Sequence, residues 1–351
     1  MGFGLGLGFH QKIIFAFLVV FLGSSKSTLP IGITSRRSNY YKSIKIVDPS
    51  GHGNFRTIQE AIDSVPPYSQ GPWNCIYIKP GIYREQIKIP YNKPFIYLKG
   101  AGKKKTFVVW DAHDSISTSA TFTSDAQYTF AKSITFVNSY NNPAGDGKKR
   151  PMKAAVAALI NGDKSAFDRC GFLGLQDTLW DANGRHYFTR CTIQGAVDFI
   201  FGAGQSIYQD CTISVTGRAL NGGIGFITAQ ARSGQWESNG FVFKECRIVG
   251  NGQTYLGRPW RDYARVLFYN TTMSRVVVPQ GWDSWLLFGR ENRLTFAEYG
   301  CHGEGANTTR RVPWLKTLSK RTLTHLTNIS FIDDPGWMSM LPLKPLHCRL
   351  N

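Results

Sequence analysis

The stretch from Gln176 to Gly202, QDTLWDANGRHYFTRCTIQGAVDFIFG, contains one full period of an internal repeat. Its aspartates, Asp177 and Asp198, are 21 residues apart. The motif around Cys191, YFTRCTI, has relatives at 166–172, 207–213 and 242–248, each with an aromatic residue three positions before a cysteine and an apolar residue two positions after it. Asp177 and Asp198 both follow a repeat cysteine by seven residues. The two carboxylates therefore occupy equivalent positions in consecutive repeats.

A period of this length is typical of a solenoid. Each copy reads as a short strand rich in aromatic and β-branched residues and bounded by Gly, Asn and Asp. No amphipathic helix of about 12 residues fits between the copies, which argues against alternating strands and helices. The sequence therefore predicts an all-β fold, a parallel β-helix whose rungs are about 4.8 Å apart. Asp177 and Asp198 are then expected on adjacent rungs.

The cysteine at the centre of the repeat is a marker for aligning other segments. Strand alternation places this marker inside the solenoid. By this alignment Ser133 takes the place of the cysteine in an earlier copy, and Thr271 takes it in a later one. Cys170 and Cys191, on adjacent rungs, are close enough to form a disulfide, which needs a Cα separation of about 4.4–6.8 Å. A ladder of buried thiols acting as small apolar groups is the alternative.

The N-terminus has the pattern of a secretory signal peptide. Lys12 precedes the apolar run 13–22, and small residues follow. This run is too short to span a bilayer, so a membrane anchor is disfavoured. We predict a signal peptide over 1–27, a lead-in segment over 28–43, one β-helix domain over 44–345 and a tail over 346–351. Secretion agrees with N-glycosylation sequons, which lie at Asn270, Asn307 and Asn328.

The chain has 351 residues and a net charge of +18. Such a charge occurs in nucleic-acid-binding proteins. For a secreted chain, however, the expected partner is an acidic extracellular polymer, such as a uronic-acid polysaccharide, drawn in by long-range attraction. We therefore expect no nucleic acid and no membrane as partners.

The aspartate pair suits acid–base and nucleophilic chemistry. Close carboxylates push their pKa values apart, so one stays ionised and the other is held protonated. A surface aspartate ladder or a calcium site are alternatives, although the sequence offers too few further oxygen ligands for calcium.

Three other residues are expected beside the aspartate pair. The Gln176 amide is placed to donate to an oxyanion. Arg258 precedes marker Thr271 by 13 residues, as Asp198 precedes Cys211, so Arg258 is expected in the same column as a partner of a carboxylate. Trp260 offers a flat face for a sugar ring.

Four blocks of the chain resemble the signature blocks of plant pectinesterases. They are GIYRE at 81–85, QDTL at 176–179, DFIFG at 198–202 and LGRPW at 256–260. The resemblance extends to the closing segment 331–337. It implies a right-handed, single-stranded parallel β-helix and removal of methyl esters from homogalacturonan, with no cofactor or metal, in the cell wall. It also implies a monomer without an N-terminal inhibitor-like domain and a proteinaceous inhibitor as a possible partner.

The resemblance also implies roles for individual residues. Asp198 is the nucleophile and Asp177 the acid and then the base. Gln176 stabilises the oxyanion, and Arg258 holds the nucleophile. Trp260, Thr121 and Phe199 contact substrate, by the same resemblance.

One position departs from the family pattern. Most relatives carry a second oxyanion glutamine, and counting back from Cys170 puts Ala154 at that place, one rung below Gln176. Loss of one such donor can reduce the rate by about 10²–10³. This departure leaves open a pectin-binding wall protein that has lost activity. A glycosidase and a lyase are two further alternatives. The Gly51-His52-Gly53 segment is the feature that suggests the glycosidase, whereas a lyase would need a calcium-binding acidic cluster.

Overall fold

The computed structural model describes residues 41–141 and 151–342. The expected signal peptide over 1–27 and the tail over 346–351 lie outside these residues. Strand β1 begins at Tyr41, three residues before the predicted start of the domain at Ile44. No helix in the described part of the chain is long and apolar enough to span a membrane.

Short strands make up most of the described chain. In order they are β1 (Tyr41–Val47), β2 (Trp73–Ile78), β3 (Gly81–Tyr83), β4 (Ile87–Ile89), β5 (Ile96–Gly100), β6 (Thr106–Trp110), β7 (Phe122–Ser124), β8 (Thr129–Lys132), β9 (Thr135–Asn138), β10 (Ala158–Ile160), β11 (Ser165–Asp168), β12 (Gly171–Leu173), β13 (Leu179–Asp181), β14 (Arg185–Thr189), β15 (Thr192–Gly195), β16 (Ile200–Gly202), β17 (Gln205–Gln209), β18 (Thr212–Thr216), β19 (Ile224–Gln230), β20 (Gly240–Lys244), β21 (Arg247–Asn251), β22 (Gln253–Pro259), β23 (Arg265–Tyr269), β24 (Thr272–Met273) and β25 (Thr295–Tyr299).

Helices are few and short. The α-helices are α1 (Ile58–Asp63) and α2 (Lys320–Thr327), and the 3₁₀ turns are Gly217–Leu220, Glu291–Arg293, Glu304–Ala306, Ile329–Phe331 and Trp337–Met340. Thr57 begins α1 with a capping box, in which its side chain accepts from the Glu60 amide and the Glu60 side chain accepts in return. The buried face of this helix, Ile58 and Ile62, packs against the first strands.

The strands form three parallel sheets that wind as a right-handed β-helix, as predicted. The first sheet has the order β1-β2-β5-β8-β11-β14-β17-β20-β23-β25. The second has the order β24-β21-β18-β15-β12-β9-β6-β3, and the third β22-β19-β16-β13-β10-β7-β4. A complete rung contributes one strand to each sheet, so residues one repeat apart lie side by side.

The aromatic residue of each repeat stacks on its counterpart in the next rung. The ring centroids of Phe167 and Phe188 are 5.0 Å apart, and those of Phe188 and Tyr208 are 4.6 Å apart. The stack continues through Phe243 and Phe268 at 4.6 and 4.5 Å. All five rings are fully buried or nearly so. This aromatic column fills the solenoid along its length and fixes the register of the rungs.

A second column holds the repeat cysteines as free thiols. Cys170, Cys191, Cys211 and Cys246 are buried and unbonded, and Cys301 is half-buried. From Cys191 upward each thiol donates to the carbonyl of the aromatic residue one rung below, as Cys246 Sγ does to Tyr208 O at 3.2 Å. Thr271 keeps this pattern with its hydroxyl, which confirms it as a marker. The disulfide between Cys170 and Cys191 is therefore wrong, and the thiol ladder is right.

The alignment of Ser133 is wrong by one residue. Lys132 pairs with Asp168, so Ser133 is equivalent to Arg169, and buried Ile134 occupies the cysteine column. Ser133 and Arg169 share a left-handed backbone, with φ of 59° and 54°. This conformation turns the chain from the first sheet into the second on both rungs. The alignment failed because Phe130, the aromatic residue three positions before Ser133, pairs with Ala166 and lies in another cluster, whereas Ala131 takes the place of Phe167.

A fully buried polar network spans two rungs near the first sheet. The His186 ring lies with Nδ1 2.5 Å from Asp181 Oδ1 and with Nε2 3.1 Å from the Gly162 carbonyl. The Tyr208 hydroxyl donates to the other Asp181 oxygen at 2.6 Å. Each polar atom of the Asp181 carboxylate is thus satisfied inside the core, as burial requires. Gly204 lies directly against this carboxylate, and the space between the two is too small for a side chain at position 204.

Candidate active site

The corner between the second and third sheets presents both aspartates. Asp177 precedes β13 and Asp198 precedes β16, with left-handed φ values of 58° and 46°. Gln176 forms a parallel bridge with Val197, and the Asp177 amide donates to the Val197 carbonyl at 3.0 Å. The aspartates therefore lie in one column on adjacent rungs, which confirms the spacing predicted from the repeat.

Arg258 holds the Asp198 carboxylate by both oxygens. Its Nε lies 2.9 Å from Oδ1 and its Nη2 2.5 Å from Oδ2, and the two side chains are only 19% and 14% exposed. Such a two-pronged contact fixes the carboxylate plane as well as its charge. The ion pair between Arg258 and a carboxylate forms as predicted, but Arg258 does not lie in the column of the aspartates. Arg258 pairs in register with Ala229 and Phe201, three residues beyond the Asp198 position, and reaches back with its long side chain.

The electrostatic environments of the two aspartates differ. Burial, with the nearby Asp198 charge as a smaller cause, raises the pKa of Asp177 from 3.8 to about 7, although Arg258 opposes the shift. Burial also raises the pKa of Asp198, while the Arg258 hydrogen bonds and charge lower it and the charge of Asp283 raises it. Asp177 is therefore suited to carry a proton near neutral pH, and Asp198 has a cation to keep it ionised.

We expect Asp177→Asn to stabilise the protein in a pH-dependent way. Between pH 4 and 7 the unfolded Asp177 ionises while the folded one stays protonated, so wild-type stability falls as pH rises through this window. Asparagine cannot ionise, so its advantage in the free energy of unfolding should be near zero at pH 4 and reach a plateau of about 4 kcal/mol above pH 7, with a matching rise in melting temperature. Melting curves across this range test the prediction. The advantage should shrink in an Asp198→Asn background, and a difference that is flat with pH would contradict the shift.

Gln176 and Ala154 lie beside the aspartates. Gln176 is half-buried, and its backbone carbonyl accepts from the Ala155 amide at 3.2 Å. Ala154 precedes that residue on the rung below and is half-buried. Of these two residues, only Gln176 has a side chain that can donate a hydrogen bond, because Ala154 ends in a methyl group.

An aromatic surface extends from the aspartates along the third sheet. The Trp180 and Phe201 rings stack at 5.3 Å, and Trp260 packs against them at 6.4 and 5.9 Å. Trp260 is half-buried and also lines a cavity of about 300 Å³ with Trp285. Trp260 is therefore placed where a ligand on this surface would meet it, and its contact with substrate stays a prediction.

Two residues predicted to contact substrate are turned away from the surface. Thr121 is completely buried, and its hydroxyl donates to the Val137 carbonyl at 3.0 Å. Phe199 is completely buried in the main core, where it packs against Gly195. Because these side chains cannot reach a ligand, the structure contradicts both assignments. Strand alternation after each catalytic corner sends the residue following Asp198 inward.

Sequence reasoning missed three residues around Arg258. The guanidinium carbon lies 4.1 Å from the centre of the Phe226 ring and 4.2 Å from that of Trp285. Asp283 is near enough to influence Asp198. The segment GWDSW at 281–285 was a usable signal, because it places two tryptophans close to a carboxylate. No cluster of His, Cys, Asp and Glu suited to a metal ion occurs among the residues described.

The comparisons with known proteins agree with this architecture. The Pectinesterase family model matches residues 45–335. The chain is 56% identical over 317 residues to "Probable pectinesterase 29" of Arabidopsis thaliana, covering 90% of this chain and 94% of that one. It is 56% identical over 301 residues to "Probable pectinesterase 55" of the same plant, covering 85% and 91%. Among solved structures, "Pectin methylesterase from Carrot" superposes with a TM-score of 0.76 at 32% identity, covering 84% of this chain and 94% of that one.

A second solved structure is a pectin methylesterase "in complex with hexasaccharide VII". It has a TM-score of 0.71 at 25% identity and covers 84% of this chain and 97% of that one. The protein is a carboxylic ester hydrolase. Its right-handed parallel β-helix, the paired aspartates at one corner and these relatives together define that class. The chain belongs to the pectinesterase family.

Proposed function

We propose that this protein removes methyl esters from homogalacturonan and yields pectate and methanol. The observation that carries the proposal is the aspartate pair, in which Asp177 has a pKa of about 7 and Asp198 is bound at both oxygens by Arg258. One proton donor and one fixed carboxylate on adjacent rungs match the needs of ester hydrolysis.

In the proposed mechanism an Asp198 oxygen attacks the ester carbonyl carbon. The carbonyl oxygen becomes an oxyanion, to which the Gln176 amide donates. The C–O bond to the methoxy group then breaks, and Asp177 gives its proton to the departing methanol. This leaves an anhydride between Asp198 and the galacturonate. Asp177, now ionised, takes a proton from water, which attacks the anhydride and restores both aspartates and a free galacturonate carboxyl group.

The choice of substrate rests on charge, on the aromatic surface and on the relatives. A net charge of +18 favours a polyanion. The Trp260 surface beside the aspartates offers apolar faces to sugar rings. We further propose secretion to the cell wall, from the signal-peptide pattern, and action as a monomer that a proteinaceous inhibitor can regulate. Asn270, Asn307 and Asn328 are all exposed, which makes each a candidate for N-glycosylation.

Product analysis on methyl-esterified pectin tests the proposal. An esterase releases methanol with no change in chain length. A glycosidase would instead release reducing ends, a lyase would release unsaturated ends, and a wall-binding protein would retain pectin without turnover. Binding without methanol release from the purified full chain would favour the binding alternative that Ala154 raises.

We expect Ala154→Gln to raise turnover and to restore part of the activity lost in Gln176→Ala. The added amide would supply a second oxyanion donor one rung below Gln176. The gain should fall short of the ~10²–10³ that one donor can give, because a water or backbone amide can already serve that place. Methanol release from the two single variants and the double variant forms a cycle that separates the donors. Lys153→Gln, at the exposed neighbouring position, is the control and should give no gain.

The same cycle decides between an enzyme and an inactive relative. If the natural chain releases no methanol and Ala154→Gln does, the protein is a pseudoenzyme and the proposed function is wrong. If Ala154→Gln changes nothing in either background, the second donor is not what this site lacks.

A further inference from the structure

The guanidinium of Arg258 lies over two aromatic rings. Its central carbon is 4.1 Å from the centre of the Phe226 ring and 4.2 Å from that of the Trp285 ring. The edge of the same guanidinium binds Asp198 through Nε and Nη2. We call these three residues, Phe226, Arg258 and Trp285, the arginine clamp.

The Phe226 side of the clamp is built into the rungs. Phe226 lies in β19 and pairs in register with Tyr255 of β22. The two rings stack at 5.3 Å with an angle of 13° between their planes. Phe226 therefore cannot move away from Arg258 without disturbing the rung above.

The Trp285 side is held by a loop outside the repeat. Trp282 is buried and pairs with Gly257, next to Arg258, and the Asp283 amide donates to the Gly257 carbonyl at 3.1 Å. Trp285 has a left-handed φ of 50°, and its amide donates to the Asp283 carboxylate. A tryptophan rarely adopts this backbone, so the local hydrogen bonds hold the indole in place at some conformational cost.

Two ring faces restrict both the motion and the hydration of the arginine. Arginine has a long side chain that loses much rotamer freedom when it is fixed. The two rings shield the cation from water where they cover it, which strengthens its pull on a carboxylate. Asp198 accepts from two N–H groups of the same guanidinium, so its orientation depends on the clamp.

We propose that Trp285 is a positioning residue for the reaction, acting through Arg258 to hold the Asp198 carboxylate in the orientation for attack. This inference rests on the proposed function. It differs from a role in binding substrate, which the 36% exposure of Trp285 and its place in the cavity beside Trp260 would also allow. The two roles predict different kinetics.

Steady-state methanol release from Trp285→Ala, Trp285→Phe and Trp285→Leu distinguishes the roles. A positioning residue lowers kcat, by roughly fivefold to thirtyfold for loss of a partly buried cation–π contact, with little change in KM. Phenylalanine keeps a ring face and should recover most of the activity, whereas leucine should not. Trp236→Ala removes an indole that is 82% exposed and lines a different cavity, and it should match wild type.

The pH profile gives a further readout that lost packing alone would not move. Asp198 is faced by the charges of Arg258, Asp177 and Asp283. If Trp285→Leu loosens Arg258, the acidic limb of kcat/KM should move to higher pH, because Asp198 loses two hydrogen bonds and a nearby positive charge. The limb that reports Asp177 should move in the same direction by less, because Arg258 acts on Asp177 through its charge alone. A raised KM with unchanged kcat and an unmoved acidic limb would overturn the proposal in favour of substrate contact.

A stability cycle tests the clamp without any substrate. Unfolding of Trp285→Leu, Arg258→Met and the double variant should be non-additive, with a coupling of roughly threefold or more in the unfolding equilibrium constant. Additive effects would show that Trp285 does not act through Arg258. This cycle needs no turnover, so it tests the clamp separately from the proposed function. Failure of the proposed function would instead be seen as a wild-type protein that releases no methanol.

Discussion

Asp198→Asn is expected to abolish methanol release while the protein stays folded. The amide is a poor nucleophile, so the step that forms the anhydride is lost, and activity should fall by about 10³ or more. Asparagine suits the position structurally because it has the shape of aspartate and tolerates the left-handed φ of 46°. Arg258 loses its charged partner but keeps an oxygen acceptor, and the cost of burying the Asp198 charge is removed, so the change in stability should stay within about 1–2 kcal/mol.

Asp210→Asn is the matched control for this variant. Asp210 also has a left-handed backbone, with φ of 54°, at a corner of the solenoid, but it is exposed and distant in the repeat from the Asp177 column. This control should retain wild-type activity. The intact mass of Asp198→Asn must be checked, because hydrolysis of the amide would regenerate aspartate. A verified Asp198→Asn protein with more than about a tenth of wild-type activity would show that another group is the nucleophile.

Gly204→Ala is expected to have the largest effect on folding. A Cβ at this position would lie 2.0 Å from Asp181 Oδ1, far inside contact distance. The carboxylate cannot move aside, because His186 and Tyr208 hold its two oxygens in the core. Displacing it would leave buried polar groups unsatisfied, so we expect a loss of about 3–5 kcal/mol or a protein that fails to fold.

Chemical denaturation of Gly204→Ala is compared with that of two other variants. At Gly81 a Cβ would meet only ordinary contacts at 3.5 Å, so Gly81→Ala should change stability by less than about 1 kcal/mol. Tyr208→Phe removes one hydrogen bond from the network without adding volume and should lie between the two, at about 1–3 kcal/mol. If Gly204→Ala is as stable as Gly81→Ala, the core around Asp181 is softer than its hydrogen bonds indicate.

The fold and the aspartate pair could be predicted because the repeat is regular where they occur. Twenty or twenty-one residues separate three successive cysteines, and the carboxylates keep a constant offset from them. Counting residues along the repeat fails where a rung departs from the regular pattern. Ser133 was misplaced because Phe130, the aromatic residue three positions before it, pairs with Ala166 and not with Phe167, and Arg258 was placed by an offset across a longer repeat. Its side chain reaches Asp198 from another column, which spacing cannot predict.

The remaining differences have separate physical causes. Thr121 and Phe199 were assigned by resemblance, which carries no information on which way a side chain points, and both point into the core. Trp285 lies on a loop outside the repeat, so no periodicity locates it. Its contact with Arg258 depends on how that loop pairs with Gly257, and this is decided by tertiary structure.

The free thiols that line the solenoid make its opening measurable rung by rung. Burial raises the pKa of Cys170, Cys191 and Cys211 well above that of an exposed thiol, so an alkylating reagent cannot modify them until their rung separates. Stability in a stacked array is set by neighbouring units, so a solenoid can unravel from one end or melt as a whole. Because Cys301 sits at the far end of the same line, the order in which cysteines become labelled distinguishes progressive unravelling from a single cooperative transition.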